Sequence, residues 1–150
     1  MEKPIRSVGK YVSIIDRYAQ MYIARHFHKY GIGAGQLGFL VLLYQRDGVS
    51  QDHLANQLRM DKATVARAVT KLEEAGLVRR EEGQEDRRVK LVYLTEQARQ
   101  ILPEVRATMY KWTDILTEGF TEQEKDVLFQ LLQRVAGNAV QYMNDIEKEG

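Results

Sequence analysis

The sequence predicts a mainly α-helical fold with one small β-hairpin. Two short helices joined by a tight turn precede the hairpin, and long helices flank both. Three observations predict this. Apolar residues recur at spacings of three and four along most of the 150 residues. Only two prolines occur, Pro4 and Pro103, so long helices are permitted almost throughout. The period changes once, near residues 77–94, where β-branched and aromatic residues bracket a charged stretch.

Taken in order, Ile5, Val8, Val12, Ile15, Ala19, Tyr22 and His26 form one stripe of a helix over 5–30, which Gly31 and Gly33 end. Residues 35–46 are apolar nearly all round, so this second helix should lie at the centre, stopped by Asp47-Gly48. Ser50 is placed to cap a short helix through Leu58 with Leu54, Ala55 and Leu58 inward. After a turn at Arg59-Met60, Asp61 caps a helix over 62–75 with Val65, Val69 and Leu72 inward, and Gly76 closes it. These two make a helix-turn-helix. Leu77-Val78 and Val89 to Leu94 read as the strands of a hairpin whose tip, Glu81 to Arg88, is wholly polar or charged. Thr95 caps a long helix with Ala98, Leu102, Val105, Met109, Trp112 and Leu116 on one stripe, bent at Pro103. Thr121 and Glu124 form a capping box for a last helix with Leu128, Leu131, Val135, Ala139, Tyr142 and Ile146 along a seam. The terminal helices, each about 26 residues and roughly 40 Å long, outreach a lobe built from residues 35–95. Their stripes predict a homodimer made by the termini.

Composition excludes several classes. The chain is 44% hydrophobic and 29% charged, which suits an ordered globular protein. It has no cysteine, so a disulfide scaffold, a thiolate zinc site, a thiol nucleophile and thiol redox sensing are out. The longest apolar run, Leu37 to Tyr44, contains Gly38 and falls short of the roughly 20 residues that span a bilayer. Met1-Glu2-Lys3-Pro4 is too polar for a signal peptide, so a cytoplasmic address with no membrane partner is expected. Net charge is +1, but it is unevenly spread: +4 over residues 1–49, +1 over 50–95 and −4 over 96–150. A nucleic-acid surface would have to be a local patch within the first 95 residues.

A helix-turn-helix followed by a charged-tip hairpin is a winged helix, which grips DNA at two points. The second helix reads base edges in the major groove, and the wing reaches phosphates or the minor groove. On helix 62–75, Lys62, Ala63, Thr64, Ala66, Arg67, Thr70 and Lys71 remain outside the core. Small residues at 63, 64 and 66 allow close approach, and Arg67 can donate two bonds to guanine. A polar helix face alone is as well explained by solvent; its place between a short helix and a basic-tipped hairpin favours DNA. At the tip, the Asp86 carboxylate can orient the Arg88 guanidinium, although an isolated pair of this kind is worth little.

Residues 50–97 resemble the winged-helix core of the MarR family, the multiple-antibiotic-resistance regulators. The resemblance rests on Leu54-Ala55, on Met60-Asp61-Lys62-Ala63-Thr64-Val65 and on Leu72-Glu73-Glu74-Ala75-Gly76-Leu77-Val78-Arg79-Arg80. It continues through Asp86-Arg87-Arg88-Val89-Lys90-Leu91 into Leu94-Thr95. The flanking helices match in number and length. The resemblance implies a single MarR-type domain over 1–150: a winged helix-turn-helix lobe at 35–95, with 1–34 and 96–150 as the helical dimerisation region. It implies a homodimer on pseudo-palindromic operators that often answers small phenolic or anionic ligands. It also implies that Arg88 enters the minor groove with Asp86 as its support.

The resulting expectation is a regulator of transcription, a repressor, that binds double-stranded DNA at an inverted repeat. Its DNA-facing set is Ser50, Lys62, Ala63, Thr64, Arg67, Thr70, Lys71, Asp86, Arg87 and Arg88, with Ser50 also a cap. The rival is a protein-interaction module, which would expose apolar residues on helix 62–75, and none is evident there. An aromatic cluster flanks the lobe. Core packing explains most of it; a cavity for an aromatic carboxylate would use Tyr18, Tyr22 and His26 as walls and Arg17 as counter-charge. No acid–base pair or nucleophile with a base is readable, so no enzyme is expected. His26, His28 and His53 make no dense ligand set, so neither a metal nor a cofactor is expected.

Overall fold

A computed structural model describes residues 2–150. The helices are α1 (Val8–Phe27), α2 (Ala34–Gln45), α3 (Gln51–Leu58), α4 (Lys62–Glu74), α5 (Glu96–Leu116) and α6 (Glu122–Glu149). A 3₁₀ turn, His28–Tyr30, links α1 to Gly31, which adopts a left-handed φ of 75°. The strands are β1 (Val49–Ser50), β2 (Val78–Glu82) and β3 (Lys90–Leu94). The chain divides into two compact units, one up to Trp112 and one from Thr113 to Gly150; α5 runs through the boundary. No helix among the described residues is long and apolar enough to cross a membrane.

Local chemistry sets the helix starts. Ser50 Oγ accepts the His53 amide at 3.0 Å, and Asp61 Oδ1 accepts the Thr64 amide at 2.8 Å. Thr95 Oγ1 accepts the Ala98 amide while donating to the Gly76 carbonyl at 2.7 Å, which ties the start of α5 to the end of α4. The Thr121–Glu124 capping box opens α6. Each cap satisfies backbone donors that the first helical turn leaves orphaned. Between α3 and α4 the turn passes through Arg59 in the left-handed region, at φ 50°.

The core of the first unit gathers Phe27, Leu40, Leu43, Leu54, Val65, Val69, Leu72, Leu77, Val92 and Val105, all essentially inaccessible. Each such side chain contributes about 1.5–3 kcal/mol of burial. α2 is central, as its composition predicts, and buries Leu37, Phe39, Leu40 and Leu43. The hairpin pairs Val78 with Leu94 through Glu82 with Lys90 in antiparallel register. Beyond the predicted hairpin, β1 adds to the free edge of β3, Val49 against Val92 and Ser50 against Leu91, so the sheet has order β1-β3-β2. Two residues are too short a run to show a period of two, so this strand has no sequence signature.

Two further expectations need correction. α1 starts at Val8 with Ser7 as its cap, leaving Ile5 outside, and spans 20 residues rather than about 26. α5 buries Ala98 and Val105 as expected, but with Ile101 and Thr108 beside them in place of Leu102 and Met109. Leu102 is half-buried, and Met109 and Leu116 are exposed. Two tyrosines of the first unit bond to this helix: Tyr44 donates to the Ala98 carbonyl and Tyr22 to that of Thr108. Burial pushes the Tyr44 phenol up to about 12. α1 buries only Phe27, and α6 buries no residue in 28. The long apolar stripes therefore stay open on both helices, with Val8 62% and Tyr142 66% exposed.

Candidate nucleic-acid interface

Helix α4 stands on its apolar face. Val65, Ala68, Val69 and Leu72 are buried against the core, and at about 100° per residue this turns Ala63, Arg67 and Thr70 directly outward. A shallow outer groove of about 400 Å³ runs along Ala66, Arg67, Thr70, Lys71 and Glu74. Among the described residues, no large apolar side chain projects from this face.

The outward side chains are pre-ordered. Asp61 does more than cap: its Oδ2 accepts the Thr64 hydroxyl at 2.7 Å, and Thr64 Oγ1 accepts Arg67 at 3.1 Å. A carboxylate thus steadies the arginine through a hydroxyl, and the bonds from Thr64 hold the Asp61 carboxyl below its usual range. Lys62 is exposed and lies 3.6 Å from Asp52. Ala63 and Lys71 are exposed. Thr70 donates to the Ala66 carbonyl at 2.9 Å and accepts from Arg80, so its hydroxyl is spent within the protein. Ser50 is half-buried, its oxygen engaged as the α3 cap.

At the wing tip, Asp86 grips Arg88 with both carboxylate oxygens. Oδ1 accepts the Arg88 amide at 3.0 Å and Nε at 3.1 Å, and Oδ2 accepts the terminal nitrogen at 3.1 Å. These bonds hold the Asp86 carboxyl below its usual range. The Arg88 side chain is nevertheless 91% exposed: its position is set while its outer N–H groups face solvent. Gly83 closes the loop by donating to the Val89 carbonyl at 2.9 Å. A Cβ there would lie 2.8 Å from the Asp86 carbonyl oxygen, so only glycine fits. Arg87, beside this pair, is exposed.

One residue that sequence reasoning overlooked is Arg80, on β2. It is mostly buried, and its guanidinium donates to Gln51 on α3 at 2.7 Å and to Ala66 and Thr70 on α4 at 2.6 and 2.9 Å. The alternation along β2 carried a signal: Val78 faces the core, Arg79 turns out, and Arg80 turns back in.

The side chains predicted to meet an effector are not gathered around one cavity. Tyr22 stacks on Trp112 with ring centroids 4.8 Å apart, and His26 tilts against Tyr22 at 4.3 Å. Arg17 and Tyr18 are exposed on α1. An open groove of about 470 Å³ lies between α1 and α2, near Leu58 and Met109, but Asp16, Ala19, Gln20 and Ile23 are the α1 residues that line it. Nearby, Glu104 accepts from Tyr30 and pairs with Lys29 at 2.6 Å, which holds its carboxyl low and raises the Tyr30 phenol.

A family model described as the MarR family matches residues 32–90, which contain the helix-turn-helix and most of the wing. Among solved structures, a MarR transcriptional regulator from Methanosarcina mazei Go1 is 36% identical, with a TM-score of 0.86 over 90% of this chain and 97% of that one. The HTH-type transcriptional regulator YybA of Bacillus subtilis (strain 168) is 28% identical over 92% of this chain and 89% of its own length. A MarR family regulator from Listeria monocytogenes, solved with a 26mer DNA, shares the fold at 24% identity, with a TM-score of 0.82 and 96% of each chain covered.

Proposed function

The chain belongs to the MarR family, and from that premise we propose that it is a sequence-specific DNA-binding regulator of transcription, a repressor, acting as a homodimer on an inverted-repeat operator. The observation that carries this is the pair of pre-ordered, outward arginines: Arg67 held through Thr64 on α4, and Arg88 held by Asp86 at the wing tip. A fixed guanidinium loses little entropy on binding and offers two parallel donors to a base edge or phosphate. The absence of large apolar side chains from the outer face of α4, among the described residues, favours DNA over a protein partner.

Dimerisation is supported by the apolar stripes that α1 and α6 each leave open. A two-fold axis would set the two α4 helices about 34 Å apart, one DNA turn, so that each half-site meets one copy. We assign 1–34 and 96–150 to this dimerisation region and 35–95 to the DNA lobe. An aromatic carboxylate bound on the exposed α1 side chains Arg17 and Tyr18, beside the tilted Tyr22–His26 pair, would release DNA by favouring a different lobe spacing.

Selection from a random duplex pool tests the whole. It should return an inverted repeat, and light scattering at micromolar concentration should give about twice 17.4 kDa. A monomer, or a pool with no enriched sequence, would refute it. Salicylate titrated into the complex should weaken it in the parent chain and leave the Arg17→Ala variant unaffected.

A further inference from the structure

We propose that Arg80 is the positioning residue of the recognition helix: it clamps α4 to the wing and to α3, and so sets the rotation at which Arg67 and Lys71 meet the bases. The proposal rests on the DNA-binding role above and adds to it a residue that itself touches no DNA.

The geometry has three parts. First, the Arg80 donors are used within the protein. Nε goes to Gln51 Oε1, one terminal nitrogen to both the Ala66 carbonyl and Thr70 Oγ1, and the other lies 3.5 Å from Glu73 Oε1. Of five N–H groups, only one lacks an acceptor, so no fork is left for a phosphate. The side chain is 22% exposed. Second, Ala66, Thr70 and Glu73 fall along one flank of α4, on successive turns. The Arg80 amide adds a bond to Glu73 Oε2 at 3.2 Å, so backbone and side chain grip the same flank. Third, the apolar face beneath cannot do this job alone. Val65, Val69 and Leu72 hold α4 down, but burial is non-directional and tolerates a small rotation or slide. Base readout does not tolerate it: reading groups must be held within about 0.5 Å of their productive position. Arg67 follows Ala66, and Lys71 follows Thr70. Fixing the flank therefore fixes the reading face about 100° away.

Lysine cannot replace this clamp, because an ammonium is a point donor without a fork. The test compares Arg80→Met, Arg80→Lys and the near-isosteric Thr70→Val with the parent chain. Each is titrated against the inverted repeat that the parent selects and against a scrambled duplex of equal length, at several salt concentrations. For both Arg80 variants, affinity for the selected duplex should fall roughly 10- to 100-fold. Affinity for the scrambled duplex should stay within about threefold, and the salt slope should not change, because no phosphate contact is lost. Thr70→Val, which keeps the helix shape, should show the same pattern at about two- to fivefold. Repeating the selection with Arg80→Met should blur several adjacent base pairs of each half-site rather than one. Equal losses on both duplexes with a slope reduced by about one unit would make Arg80 a phosphate contact and overturn the proposal. Losses that merely track the folded fraction in circular dichroism would overturn it as well. If the parent chain selects no sequence, the DNA-binding role falls, and the role of Arg80 falls with it; a parent that selects while Arg80→Met selects identically sinks the clamp alone.

Discussion

The recognition helix and the wing tip each present an arginine steadied by a carboxylate, yet they are built on opposite principles. On α4 the carboxylate stands one step back: Asp61 is hydrogen-bonded to Arg67 through Thr64, and the helix itself is held from below by the core and from the side by Arg80. At the tip, everything is local. Asp86 holds Arg88 across two residues, and Gly83 closes the loop with one backbone bond to Val89. A side chain on α4 therefore inherits its placement from the whole lobe, which suits sequence readout. A side chain on the wing inherits it from a few residues, so it can be altered without disturbing the fold.

The largest expected effect tests the wing. Arg88→Ala should cost about 2–3 kcal/mol of DNA affinity, roughly 30- to 150-fold, with melting temperature and dimer unchanged. Fluorescence anisotropy at several salt concentrations measures this, and a fall in stability would mean that the tip is less autonomous than its geometry implies. Next comes the helix. Arg67→Ala should cost about 1–3 kcal/mol and relax preference at one base pair of each half-site. Were it to weaken every sequence equally, Arg67 would be a phosphate anchor, and the contrast between helix and wing would disappear.

A smaller effect separates holding from touching. Asp86→Ala should reproduce Arg88→Ala in weaker form, about three- to tenfold, because it frees the arginine without removing it. The smallest belongs to Arg87. Its alanine variant should reduce the slope of log affinity against log salt by about 0.9, with little change in sequence preference. A tip that reads bases through Arg87 would instead show an altered selected sequence.

Much of this architecture was legible residue by residue. The caps at Ser50, Asp61 and Thr121 are interactions across three positions, and the Asp86–Arg88 pair spans two. Such contacts form whenever the local backbone does, so spacing alone reveals them. The inward face of α4 was equally plain, because a 13-residue amphipathic helix shows its period clearly. Arg80 was not legible as a clamp, because its partners lie 7, 10, 14 and 29 positions away. Nor was the face of α5: two stripes, one through Leu102 and Met109 and one through Ile101 and Thr108, satisfy helical spacing equally well.

The sequence by itself determined which segments are helices, where α3, α4 and α6 are capped, which face of the short helices turns inward, and that the wing tip carries a supported arginine. All of these follow from contacts within a turn or two of chain, where covalent geometry limits the choices. The tertiary structure alone decided which stripe of α5 is buried, that two residues of β1 complete the sheet, that the hydroxyls of Tyr22 and Tyr44 are spent on α5, and that Arg80 faces inward. Each of these depends on directional partners brought together from distant positions, and hydrophobic periodicity carries no information about direction.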